Sequence, residues 1–292
     1  MEKFSNWRDK GTGISPFMPF TEPSKGLTQK IGFIFNVIEV LFKAPIFIFL
    51  FILYQIVPYK VVGNLILLLC GFKGYDLLVE GIRKTKTDQI DLKRPRANDL
   101  VVVNYISPID ALIVSLCSNA SYKNTRFIIP DKDGQLYSYS LWSFFNNCFN
   151  GNIGVPTSQE KISDLSDLRG ELVFLFMEGT TSNNKGLLPF PPLKADIPDF
   201  FKIKVLALKL QPVLLTLPLP VISKSCYIFR LLTNSSNKSS IKTKIYELNE
   251  FDIEQIKKSF ELSLLYLIGN DLNIEEKAKF YNYYLDHHIK TR

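Results

Sequence analysis

Residues 99–110 read Asp99-Leu100-Val101-Val102-Val103-Asn104-Tyr105-Ile106-Ser107-Pro108-Ile109-Asp110, and this stretch decides the fold. Leu100 to Asn104 is a short, continuous apolar run rich in β-branched residues, which is how a strand buried on both faces reads. Pro108 and Asp110 then open a helix that runs through Cys117. Proline is tolerated in a first helical turn, and an acid is favoured there by the dipole. A buried strand that turns directly into a helix is the unit of a layered α/β domain.

Downstream the same alternation continues. Phe127 to Ile129, Asn152 to Val155, Leu172 to Met177 and Val213 to Leu217 read as strands, the last one ended by Pro218 and Pro220. Leu141 to Phe149 reads as an aromatic helix. Thr157 with Glu160 fits a capping box, followed by Ile162, Leu165 and Leu168 at helical spacing and closed by Gly170. Phe200 to Leu210 is predicted helical, Ser240 to Leu248 alternates like an edge strand, and two helices, at about 252–267 and 273–289, end the chain. The expected fold is a mixed sheet flanked by helices over residues 73–292.

Upstream the chain changes character. Residues 1–30 are polar, with Gly11, Gly13, Pro16, Pro19 and Pro23, and read as an irregular arm without a cleavable leader. Residues 31–57 are apolar except for Asn36, Glu39 and Lys43, and Val61 to Phe72 is a second, shorter apolar run. A bilayer span needs about 20 apolar residues. The segment 31–72 is expected to enter a membrane, as a hairpin turning at Pro58 or as one tilted span over 31–57, with a buried soluble core as the remaining alternative. Arg83, Lys84, Lys86, Lys93, Arg94 and Arg96 follow, as a solvated loop or as a basic collar beside anionic headgroups.

Composition agrees with a membrane-associated globular protein. Of 292 residues, 46% are hydrophobic, which excludes a disordered chain, and the formal net charge is +7. A basic balance attracts nucleic acid or an anionic membrane, and the apolar segment selects the membrane. Cys70, Cys117, Cys148 and Cys226 lie in no metal-type spacing and read as buried free thiols. No metal cluster and no glycine-rich nucleotide pattern is present. The only histidines are His287 and His288.

Two segments, each following a predicted buried strand, carry the candidate chemistry: Asn104 to Asp110, and Phe176-Met177-Glu178-Gly179-Thr180-Thr181-Ser182. In α/β proteins such strand ends hold the sites. In order and spacing the two segments resemble the paired blocks of the glycerolipid (lysophosphatidic acid) acyltransferases. Gly186-Leu187-Leu188-Pro189-Phe190 and Pro212-Val213 add to the likeness. The resemblance implies acyl transfer from an acyl-CoA, oleoyl-CoA foremost, to the sn-2 hydroxyl of lysophosphatidic acid or another lysophospholipid. It implies acyl-CoA as co-substrate with no further cofactor, a membrane or lipid-droplet surface as partner, and residence at the endoplasmic reticulum or droplets.

In that family a histidine is the general base and an aspartate five residues later orients it. Here those positions hold Tyr105 and Asp110, the candidate catalytic pair. A free tyrosine titrates near 10, so Tyr105 is open to three roles: packing, a donor to substrate, or an unusual base. Asp110 reads as a helix-start residue or as part of the site. Ser107 is a cap or an oxyanion donor. Glu178, Gly179 and Thr180 are expected to cradle the acceptor's phosphate end, glycine allowing close backbone approach. Where many members of the family carry an arginine this chain has Thr181, and Lys185 or Lys194 is the expected substitute charge. His287 and His288 reach the blocks only if the last helix folds back across them. The acyl chain needs an apolar groove, with Trp142, Phe144, Phe145 and Phe149, or Phe200 and Phe201, as candidates; such rows are also ordinary core. A lipid-binding protein without turnover is the alternative.

Overall fold

The structure is a computed structural model that describes residues 2–20, 28–57, 59–120, 122–156, 159–234 and 239–289. Pro23, Pro58 and Thr157, on which the arm, the hairpin turn and the capping box were read, lie outside them.

An eight-stranded sheet forms the centre. In chain order its strands are β1 (Tyr75–Val79), β2 (Asp99–Val103), β3 (Thr125–Pro130), β4 (Leu136–Tyr139), β5 (Glu160–Ile162), β6 (Leu172–Leu175), β8 (Lys202–Gln211) and β9 (Ser240–Leu248), with β7 (Gly186–Leu187) and β10 (Tyr266–Leu267) pairing separately. The order across the sheet is β1-β9-β8-β2-β6-β3-β4-β5. Strands β8, β2, β6 and β3 run parallel, while β9 is antiparallel to β8 and β4 to both β3 and β5. The mixed α/β sheet expected from the sequence is therefore present.

The helices are α1 (Thr28–Ile56), α2 (Lys60–Leu69), α3 (Thr87–Lys93), α4 (Asp110–Cys117), α5 (Leu141–Asn147), α6 (Lys224–Leu232), α7 (Ile253–Leu262) and α8 (Ile274–Tyr284). Side chains of α1, α2, α4, α5 and α6 pack on one face of the sheet. The other face is covered by α7 and the irregular segments around Leu165, Leu193 and Phe201. A third cluster joins α8 to the N-terminal arm.

Several assignments are corrected. Residues 202–211 form the long strand β8, not a helix, because their apolar run is buried on both sides of the sheet. Strand β9 lies between β1 and β8 and is not an edge. Asn152 to Val155 is a turn, Val213–Leu215 is a 3-10 turn, and 159–170 holds the short strand β5 and a 3-10 turn. Cys226 is exposed; the other three thiols are buried. The arm is docked: Phe4 and Trp7 pack against Phe280, and Asp9 accepts a hydrogen bond from Gly269 N.

Helix α1 continues through Pro45 for 29 residues. It is the one helix among the described residues long and apolar enough to cross a membrane, with mean hydropathy 2.2 over Gly32–Ile56. Phe35, Leu41, Phe42 and Phe49 are each at least 65% exposed. A continuous apolar surface of that kind marks a membrane or protein contact. The two charges within Gly32–Ile56 neutralise each other, Glu39 pairing with Lys43 one turn on. Helix α2 packs beside it: a methyl on Gly63 would stand 2.4 Å from Leu116 Cδ2, so glycine lets α2 reach α4.

Candidate active site

The parallel strands β2 and β6 lie side by side, so the segments after them leave the same edge of the sheet. Glu178 joins the two blocks. Its Oε1 accepts a hydrogen bond from Tyr105 N at 2.7 Å, and its Oε2 accepts one from Leu188 N at 2.8 Å. Ser182 N donates to Tyr105 O at 2.7 Å. Burial pushes the Glu178 carboxyl up to about 8 against the lowering effect of those donors. Gly179 turns the chain at φ +65, where a Cβ would sit 2.8 Å from Pro130 O, so only glycine fits this turn.

Asp110 organises the first block. Its Oδ2 accepts hydrogen bonds from Ile106 N at 2.7 Å and Ser107 N at 2.8 Å, and its Oδ1 accepts one from the Ser107 hydroxyl. Burial raises its carboxyl to about 7 despite these donors. Both Asp110 and Ser107 are thus engaged in fixing the turn from β2 into α4. Asn104 mimics a strand partner, its amide exchanging two hydrogen bonds with Leu208 of β8.

Tyr105 is buried. Its ring packs against both Phe144 and Phe176, with centroids at 4.8 Å and 5.3 Å, and its hydroxyl lies 3.0 Å from Cys148 Sγ. Burial, then the neighbouring thiol, push the phenol well above its ordinary value. This environment opposes the phenolate that a base would require.

The sequence did not point to Lys277. Helix α8 crosses the strand ends and buries this amine completely. Nζ donates to Thr181 O at 2.6 Å and to Thr181 Oγ1 at 3.1 Å, and lies 2.6 Å from Thr180 Oγ1. Thr181 Oγ1 in turn donates to Leu217 O at 2.6 Å. Burial lowers the amine to about 7, partly offset by Cys148 and Glu178. A signal existed: Ile274, Lys277, Phe280 and Tyr284 share one helical face, so Lys277 interrupts an otherwise apolar stripe. Lys277 is the lysine whose amine meets Thr181, while Lys185 and Lys194 are exposed. The last helix does fold across the blocks, but His287 stacks on Tyr283 and contacts its carbonyl oxygen.

A small polar cavity lies at this junction, lined by Tyr105, Asn147, Cys148, Gly179, Thr180 and Lys277 among others. On the opposite side of the first block, Pro108, Ile109 and Leu112 meet Phe47, Phe51 and Phe145 in an apolar crevice that faces α1 and α2. Of the aromatic candidates, Phe145 lines this crevice, Trp142 is half exposed against Phe51 of α1, and Phe144 is core. Phe200 and Phe201 meet with tilted rings on the other face of the sheet. Another cavity, of about 700 Å³, is lined in part by Tyr75 and Arg94, whose side chains donate to Leu116 O and Cys117 O at the end of α4.

Comparison with known proteins extends the resemblance beyond the two blocks. The chain is 28% identical to lysophosphatidic acid:oleoyl-CoA acyltransferase 1 of Saccharomyces cerevisiae, with both chains covered in full. It is 29% identical to a putative lysophosphatidic acid:oleoyl-CoA acyltransferase of Schizosaccharomyces pombe, over 75% of this chain and 77% of that protein. No family model and no solved structure matches.

Proposed function

We propose that this protein is a membrane-bound acyltransferase that moves the acyl group of an acyl-CoA, oleoyl-CoA foremost, onto the sn-2 hydroxyl of lysophosphatidic acid, giving phosphatidic acid. The observation that carries the reading is Glu178, whose carboxylate ties Tyr105 N to Leu188 N and so unites the two acyltransferase-like blocks. Similarity to the yeast acyltransferase over the whole chain supports it.

The acyl chain lies along the apolar crevice between α1, α2 and the first block, and the thioester sits at the end of β2. The acceptor's phosphate end is held at Glu178, Gly179 and Thr180, with Lys277 supplying the positive charge. The acceptor hydroxyl oxygen bonds to the thioester carbon, the carbon–sulfur bond breaks, and the hydroxyl proton ends on the coenzyme A thiol. Asp110 and Lys277, both titrating near neutrality, are the groups able to hold that proton in passing. Tyr105 acts as a neutral packing and donor residue. Holding the two substrates in register contributes most of the acceleration, about 7 kcal/mol or more when alignment is close. Helix α1 anchors the enzyme in the membrane of the endoplasmic reticulum or at lipid droplets.

Acyl transfer from labelled oleoyl-CoA to lysophosphatidic acid by purified protein tests this, with Asp110→Ala and Tyr105→His alongside. Turnover by the wild type that Asp110→Ala removes is the expected result. The buried Tyr105–Cys148 contact favours a second reading, a lipid-binding protein that has lost its base. An inactive wild type with turnover gained in Tyr105→His would establish that alternative.

A further inference from the structure

Strands β8 and β9 carry a second feature outside the two blocks. Ala207, Lys209 and Gln211 project from the face of the sheet opposite Leu206, Leu208 and Leu210, whose side chains join the core formed with α1 and α2. On that opposite face lies a groove of about 450 Å³, a volume within the usual range for small-molecule sites. Lys185, Lys209, Lys242 and Lys244 line it, and none of its lining residues is a carboxylate.

The lysines are placed against their own electrostatic interest. Lys209 and Lys242 stand directly opposite each other across β8 and β9. Like charges in that relation are unfavourable, and an anion bridging them removes the conflict. Lys209 Nζ donates to Leu264 O at 2.9 Å, and Lys244 is paired with Glu80 at the rim. Asp76, in register with Lys242, is turned to Lys84 at 2.7 Å. The groove therefore keeps an excess of positive charge.

Apolar surface lies beside the charge. Leu78, Ala207, Val213 and Leu264 line the same groove. Leu264 follows the end of α7 at φ 61, where glycine is usual, and is 73% exposed. A leucine presented to solvent in a left-handed conformation offers a flat ring something to lie on.

We infer that this groove holds the phosphorylated adenosine end of coenzyme A, a reading that rests on the acyl transfer proposed above. The lysines face away from the membrane helices, which suits a soluble polyanion and not lipid headgroups. Asn184 and Lys185, at the groove, come two and three residues after Ser182 of the second block, and the Asn184 side chain grips Leu210 of β8 through two hydrogen bonds. The donor thus straddles the sheet edge: nucleotide on the aqueous face, thioester at the blocks, acyl chain on the membrane face.

Calorimetric titration of free coenzyme A into the full-length protein in detergent tests the site, using wild type, Lys209→Gln, Lys242→Gln and the double variant. Each single change is expected to weaken binding about fivefold and the pair more than tenfold, as for loss of a charge-assisted contact each. The KM for oleoyl-CoA rises by the same factors, while kcat and the KM for lysophosphatidic acid stay unchanged. Equal coenzyme A affinity in the wild type and a folded double variant overturns the assignment. So does a double variant that loses binding to phosphatidylserine vesicles yet keeps its coenzyme A affinity. If the wild type binds coenzyme A through these lysines but transfers no acyl group, the groove stands and the catalytic reading fails.

Discussion

Lys277 Nζ and Thr180 Oγ1 are 2.6 Å apart, although 97 residues separate them in the chain. Thr181 O can only accept, and Thr181 Oγ1 spends its own proton on Leu217 O, so both must receive hydrogens from Lys277. The Thr180 contact alone is free to change direction. With the amine charged, Thr180 accepts, and its hydrogen is available to a ligand oxygen; with the amine neutral, Thr180 can donate to nitrogen instead.

Removing the amine therefore removes both a charge and the orientation of Thr180. Lys277→Met is expected to lower kcat/KM for lysophosphatidic acid by about 10², the scale of losing one preorganised donor. Lys277→Arg, which keeps the charge, is expected to recover part of it. Steady-state rates for the three proteins decide this.

The same amine leaves a trace in stability. Its pKa falls from 10.5 in the unfolded chain to about 7 in the fold. Between these values the unfolded chain binds the extra proton, so the Lys277 contribution to stability rises with pH, by at most about 1.4 kcal/mol per unit. Denaturant midpoints of wild type and Lys277→Met should diverge in favour of the wild type from pH 7 to 9. Parallel curves would place the amine in contact with water.

Asp110→Asn tests the turn. One carboxylate now serves two backbone amides and the Ser107 hydroxyl, and an amide group offers a single acceptor oxygen. Stability should drop by about 1–3 kcal/mol, the cost of leaving a buried donor unpaired, with activity falling alongside.

Tyr105→Phe keeps the ring against Phe144 and Phe176 and deletes only the hydroxyl at Cys148. Activity is expected to stay within about threefold, well short of the 10²–10⁴ that general-base help supplies. A collapse on that scale in a stopped assay would give the phenol a direct part in the chemistry.

What the sequence disclosed follows from how far its signals reach. The two blocks are continuous runs after buried strands, so Ser107, Asp110, Glu178, Gly179 and Thr180 could be picked out, and the structure gathers them at one edge. Strand β8 reads as a helix in sequence because an apolar run buried on both sides has no period to separate strand from helix. Its Lys204 looks like a surface residue in sequence, yet it is buried in an ion pair with Asp99 at 2.8 Å. Strand β1, from Tyr75 to Val79, was hidden behind the apolar segment that precedes it. Lys277 is not legible as a site residue because nothing local tells a lysine on an apolar stripe what polar groups will meet it.

The docking of α8 across the strand ends also sets an order of assembly. As the chain is synthesised, the apolar helix α1 emerges first, the two blocks next, and Lys277 well after both. A nascent chain that already holds the whole sheet still lacks the amine that Thr180 and Thr181 are shaped to meet. Packing of α1 can thus come early and closure over the second block late, and a chain stalled between the two would be folded in outline with the turn at Thr180 and Thr181 still unmet.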